Sequence, residues 1–175
     1  RVGLVDAESG EQRTLIDILP YKTQGDWAWM PGLGMGPNGH VLYTVEHVPL
    51  EGGGSAEESP LFHLVGVLLS GGETMTLAKE VGMFAYPKVS PLMKTSVSES
   101  DYQVAFLQAV FSRQSATSSY RVTVMDRDGS NKTSIFPSQE DPGLEPSRGW
   151  GVWAPALREG DSGYLMAVLY QGNIW

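Results

Sequence analysis

Apolar residues fall in short runs of strand character along this chain, and clusters of Gly, Pro, Asn and Ser separate them. Helical periodicity is nearly absent. Its one fair candidate, 73–81, carries Thr74 and Thr76 and fits a strand as well. Three features recur in the same order. An apolar strand runs into a small turn at Val2–Gly10, Leu64–Gly72 and Val122–Gly129, with the glycines 62 and 57 positions apart. An aromatic or apolar pair precedes a proline at Trp27-Ala28-Trp29-Met30-Pro31, Tyr86-Pro87-Lys88-Val89-Ser90-Pro91 and Trp150-Gly151-Val152-Trp153-Ala154-Pro155, with Pro31, Pro91 and Pro155 spaced 60 and 64 apart. A further apolar strand then follows, and aligning Val41, Val104 and Met166 gives steps of 63 and 62. Ordered anchors at one period imply three repeats of about 60 residues.

Each unit reads as four short antiparallel strands. In the first they are Trp27–Met30, His40–Glu46, Phe62–Leu69 and Thr74–Ala78, with Asn38-Gly39 suited to a type I′ hairpin turn. In the second they are Ala85–Ser90, Tyr102–Gln108, Tyr120–Asp126 and Lys132–Phe136. The third has Trp150–Ala154, Gly163–Leu169 and the start of another strand at Gly172–Trp175. Residues 1–18 supply the outer two strands of a further unit, Val2–Asp6 and Arg13–Ile18. The long loops 49–60 and 111–119 fall inside the period and read as insertions, so 1–175 is treated as one segment.

The succession of strand, Asp126-Arg127-Asp128-Gly129 turn, strand, aromatic segment with Trp153-Ala154-Pro155, and strand resembles the TolB-like (WD40-like) β-propeller repeat. Trp29-Met30-Pro31 and Val89-Ser90-Pro91 are the other matches to that family's Trp-Ser-Pro feature. The resemblance implies an all-β fold, a β-propeller or part of one with four-stranded blades. Longer loops replace the family's Asp-Gly after the proline, and the period exceeds the usual blade length. A four-stranded blade is apolar on both faces and buries them only between neighbours. The anchor aromatics Trp27, Trp29, Tyr86, Trp150 and Trp153 are therefore expected at the seams between blades, and proline is expected to end pairing where the chain leaves the sheet. Three units do not close a ring that typically holds four to eight blades. The expectation is a fragment of a longer propeller, or a homodimer in which two copies complete six blades.

Composition narrows the function. Twelve Lys and Arg against twenty Asp and Glu leave a net charge of −8, which argues against nucleic acid and anionic membranes as partners. No apolar run reaches the length of a membrane span. The absence of cysteine removes disulfides and thiolate chemistry. The turn at Asp126–Asn131 resembles a calcium loop, but its Gly129 comes fourth rather than sixth, and a hairpin explains it. His40 and His47 stand too far apart along one strand to share a metal. No Gly-x-Ser-x-Gly and no phosphate loop is present. Asn131-Lys132-Thr133 matches a glycosylation sequon and reads as a turn.

The sequence thus implies no catalytic residue, metal or cofactor. The expected role is a non-catalytic scaffold that holds a protein or peptide through its loops or central channel, working outside the cytoplasm in the periplasm, at the cell surface or secreted. Candidate ligand loops follow the anchor prolines, around Met35, Met93 and Arg158. The alternatives are a propeller accompanying a hydrolase or lyase domain, and a glycan-binding module of the cell envelope.

Overall fold

The computed structural model describes residues 1–23, 25–92, 102–154 and 164–175. The protein is all-β. Its strands are β1 Val2–Val5, β2 Gln12–Ile16, β3 Leu33–Met35, β4 Val41–Val48, β5 Leu61–Leu68, β6 Thr74–Ala78, β7 Lys88–Val89, β8 Gln103–Ala109, β9 Tyr120–Asp126, β10 Thr133–Phe136, β11 Gly151–Trp153, β12 Met166–Tyr170 and β13 Asn173–Ile174. Single 3-10 turns occupy Ala56–Glu58 and Ser112–Gln114, inside the two long loops. Among the described residues no helix is long and apolar enough to cross a membrane.

The strands form four separate antiparallel sheets, each a meander in chain order: β1-β2, β3-β4-β5-β6, β7-β8-β9-β10 and β11-β12-β13. The middle strands explain how they stack. Successive side chains on a strand point to opposite faces, and in these strands both faces are apolar. On β8, Val104 and Phe106 enter one core, while Ala105, Leu107 and Ala109 enter another. On β5, Phe62 and Leu64 share the core of Val104, while Val65 and Val67 join Val2 and Leu42 in a third. The first core lies between the second and third sheets, the second between the third and fourth, and the last between the first hairpin and the second sheet. Among the described residues none covers the far face of the fourth sheet, where Val152, Leu169 and Ile174 are exposed.

The outer hairpins of the first two sheets match bond for bond. Asp6 N donates to Glu11 O and Gly10 N to Asp6 O; in the next sheet Leu68 N donates to Glu73 O and Gly72 N to Leu68 O. The β9–β10 turn is one residue tighter, with Asp126 N on Ser130 O and Gly129 N on Asp126 O. Gly72 and Gly129 have φ of +78° and +89°, and each packs on the sheet before it. A Cβ would lie 2.6 Å from Leu15 O at Gly72 and 2.9 Å from Leu77 O at Gly129. Glycine is required there for both its left-handed backbone and its lack of bulk.

Most strand positions follow the pattern of apolar residues, and the inner strands depart from it. Trp27–Met30 is not a strand; β3 begins at Leu33, beyond Pro31, in a stretch expected to be a flexible loop. The cause is tertiary. Gly32 and Gly34 bring the backbone against Tyr86 and Pro87, at distances no side chain permits. The Ala85–Ser90 strand shrinks to Lys88–Val89, because Tyr86 sits at φ +41° and Pro87 follows. The β3–β4 turn is not type I′: Asn38 stays out of the left-handed region and Gly39 alone enters it, at φ +70°. Gly39 N donates to Gly36 O, and Pro37 and Asn38 take the two central positions, as in a type I turn followed by a left-handed glycine. The two-residue turn with both φ positive occurs instead at Gln171-Gly172, between β12 and β13.

One buried side chain pins the connection that leads to β3. His47 lies at the end of β4 with Nδ1 3.0 Å from Pro20 O and Nε2 2.8 Å from Ser59 O. Its ring stacks on Phe62 and meets the edges of Tyr21 and Trp29. Trp29 in turn donates Nε1–H to Met83 O, across to the third sheet.

Replacing Phe106 by Ala opens a hole between the second and third sheets and should cost about 3–5 kcal/mol in denaturant melts. Ile135→Ala, on the exposed side of β10, should leave the midpoint unchanged. Burial also pushes the Tyr43 and Tyr120 hydroxyls well above the ordinary phenol value. The unfolded chain ionises these groups near pH 10 while the folded chain keeps them neutral. Their contribution is therefore complete below that pH and drains away above it. The Tm should fall on raising the pH past about 10, and less steeply in a Tyr43→Phe/Tyr120→Phe variant.

Candidate functional site: a groove along the inner strands

The first strands of the last three sheets, β3, β7 and β11, are each an edge of their sheet, and they lie side by side with β7 in the middle. Short strands rich in Gly and Pro allow the close approach. A Cβ on Gly34 would lie 2.9 Å from Pro87 O and 3.3 Å from Val89 Cγ2. Indole N–H groups close the other side: Trp150 Nε1 donates to Tyr86 O and Trp153 Nε1 to Lys88 O, both at 3.0 Å. Because both acceptors are backbone carbonyls at the start of β7, these two tryptophans fix where the fourth sheet sits on the third.

Together the inner strands line an open groove of about 490 Å³, formed by Leu33–Met35 with Pro37, the Pro87–Pro91 stretch, and Gly151–Trp153. Its walls are more apolar than polar, and Leu33, Met35 and Val152 are 56%, 45% and 63% exposed. Ser90 is buried and spends its hydroxyl locally, accepting from Gln103 N and donating to Pro91 O. Among the described residues Lys88 is the one charged residue lining the groove. It is half-buried, its Nζ stands 5.9 Å from the centre of the Trp150 ring, and burial lowers its pKa. Arg148 lies over the ring of Tyr86, which precedes Pro87, at 5.3 Å and donates to Met30 O.

The anchor residues scatter over several environments. Trp150 is fully buried between sheets, and Trp29 and Trp153 are half-buried at seams. Trp27 is 45% exposed and tilts against Phe84. Tyr86 is half-buried just before Pro87, and burial raises its pKa. Pro31 lies in the connection before β3, and Pro91 on the groove wall. Met35, expected in a loop, is in β3 and faces the groove. Met93, Pro155 and Arg158 lie outside the described residues.

Asp126 and Gly129 are at the far turn of the third sheet, where the carboxylates are used within the turn. Asn131 Nδ2 donates to Asp126 Oδ2 at 2.7 Å, and Ser130 donates both its backbone N–H and its hydroxyl to Asp128 Oδ1. Among the described residues no group of three His, Asp or Glu side chains is placed to hold a metal ion. Sequence reasoning passed over Lys88. A readable signal was there, a lone cation inside the apolar, proline-flanked Tyr86-Pro87-Lys88-Val89.

No family model, curated protein or solved structure matches the chain.

Val in place of Gly34 must push β3 away from Pro87, and overpacking of this kind costs about 1–3 kcal/mol. Thermal melts should show that loss, and Gly54→Val, where a Cβ meets nothing, should show none.

Proposed function

We propose that the chain is a β-propeller segment without catalytic activity, and that it holds a protein or peptide partner in the groove along its inner strands. The observation that carries this reading is the groove itself. Edges of three sheets converge on it, and they leave Leu33, Met35 and Val152 exposed beside a Trp153 whose polar atom is already bonded. Apolar side chains with aromatic and proline neighbours suit an extended peptide, whose own side chains fill the spaces between strands.

The propeller part of the reading rests on three further features. Successive meanders bury both faces of their middle strands, two of the outer hairpins repeat their hydrogen bonds and the third is one residue tighter, and the first strands of the last three sheets gather on one side. That arrangement also fits the sequence resemblance to TolB-like repeats.

The test is selection of a random peptide library against the immobilised chain, followed by calorimetry with a synthesised winner. Met35→Asp and Val152→Asp should each weaken its binding tenfold or more, while Ile135→Asp on β10 should leave it intact. Winners that bind the groove variants as well as the parent chain would rule this site out.

A further inference from the structure

A charged residue in the groove lining points to the chemistry of its occupant. Three ion pairs exist among the described residues, Arg1–Asp17, Lys22–Glu58 and Arg113–Glu80, and all lie elsewhere on exposed surface. Among the described residues Lys88 has no carboxylate partner, and no Asp or Glu lines the groove. Its ammonium stands beside the Trp150 ring, where water has been partly removed. An ammonium carries three N–H donors and no acceptor, so an arriving carboxylate supplies what this group lacks.

The second cation points the same way. Arg148 lies over the ring of Tyr86, the residue before Pro87 of the groove lining, and one of its guanidinium N–H donors is engaged with Met30 O. We propose that the groove recognises an apolar peptide segment bearing a carboxylate, an Asp or Glu side chain or a free C-terminus, with Lys88 as its anion anchor. This deepens the peptide-binding reading above and rests on it.

The surroundings limit the kind of acid. The chain carries a net charge of −8, and at long range this field repels a polyanion. One anchor within an apolar wall selects a segment with one well-placed carboxylate among hydrophobic residues. Burial keeps the Lys88 pKa below the usual lysine value, and a bound carboxylate acts in the opposite sense by favouring the ammonium. A desolvated charge pair is also stronger than the same pair in water.

The experiment uses the whole chain and two random libraries, one displayed with free C-termini and one with internal peptides. Enriched sequences should carry an acidic residue or depend on the terminal carboxylate. The synthesised winner should lose tenfold or more in affinity when its Asp or Glu becomes Asn or Gln, or when its C-terminus is amidated. Lys88→Met should cause the same loss, Lys88→Arg should restore most of it, and circular dichroism melts should show both variants folded. The two libraries separate a side-chain carboxylate from a C-terminal one. Winners that bind the groove, as judged by Met35→Asp, yet tolerate amide replacement and Lys88→Met would overturn the anion anchor and leave the peptide reading standing. If no sequence is enriched from either library, both fall.

Discussion

Each middle strand of the second and third sheets sends alternate side chains into two different cores, and the rest of the structure depends on that double burial. Val104 and Phe106 on β8 leave the third sheet on one side, and Ala105 and Leu107 on the other. A sheet of this kind has no face to turn to water, so it is stable only between two others. Apolar burial contributes roughly 25 cal/mol per Å², and stacking two sheets gains it on both partners at once. The meander topology follows from short links joining neighbouring strands, while the order of the sheets follows from which apolar face meets which.

The stacking also dictates where tolerance is lowest. Gly72 and Gly129 each press a turn onto a backbone carbonyl of the preceding sheet, and Gly32 and Gly34 press β3 onto the start of β7. At these points one sheet touches the next through main chain, with no side chain between to absorb a change. The indole N–H groups of Trp29, Trp150 and Trp153 act across the same seams. Each bonds a carbonyl in or just before β7 and so supplies direction to contacts that hydrophobic packing leaves free to slide.

The groove is a consequence of this geometry. Packing requires the inner strands to be short and close together, which leaves their outward edges and a few side chains without neighbours among the described residues. Lys88 occupies the middle of those strands, next to a tryptophan whose own role is to join sheets. A structural contact and a recognition element therefore share one neighbourhood, and a change to Trp150 or Trp153 would disturb both.

Strand content, the order of the strands and the boundaries of β5, β6, β9 and β10 were legible in the residues, because alternating or continuous apolar runs between turn formers leave few other structures. The outer hairpins were legible too, since Gly10, Gly72 and Gly129 mark left-handed turn positions that few other residues adopt. The inner strands were not. Leu33–Met35 is three residues flanked by glycines, and only the proximity of Tyr86 and Pro87 makes it a strand rather than a loop. Trp27 and Trp29 look alike in the sequence, yet one is exposed and the other donates across a seam. The candidate site followed the same division. Met35 and Pro91 were singled out for following or being a proline, but the groove joins residues from three sheets far apart in the chain. Lys88 gains its meaning only from the tryptophan ring, 62 positions later in the chain, that tertiary packing sets beside it. Local sequence decides which residues extend and which turn; the sharing of apolar faces between sheets decides which of them meet.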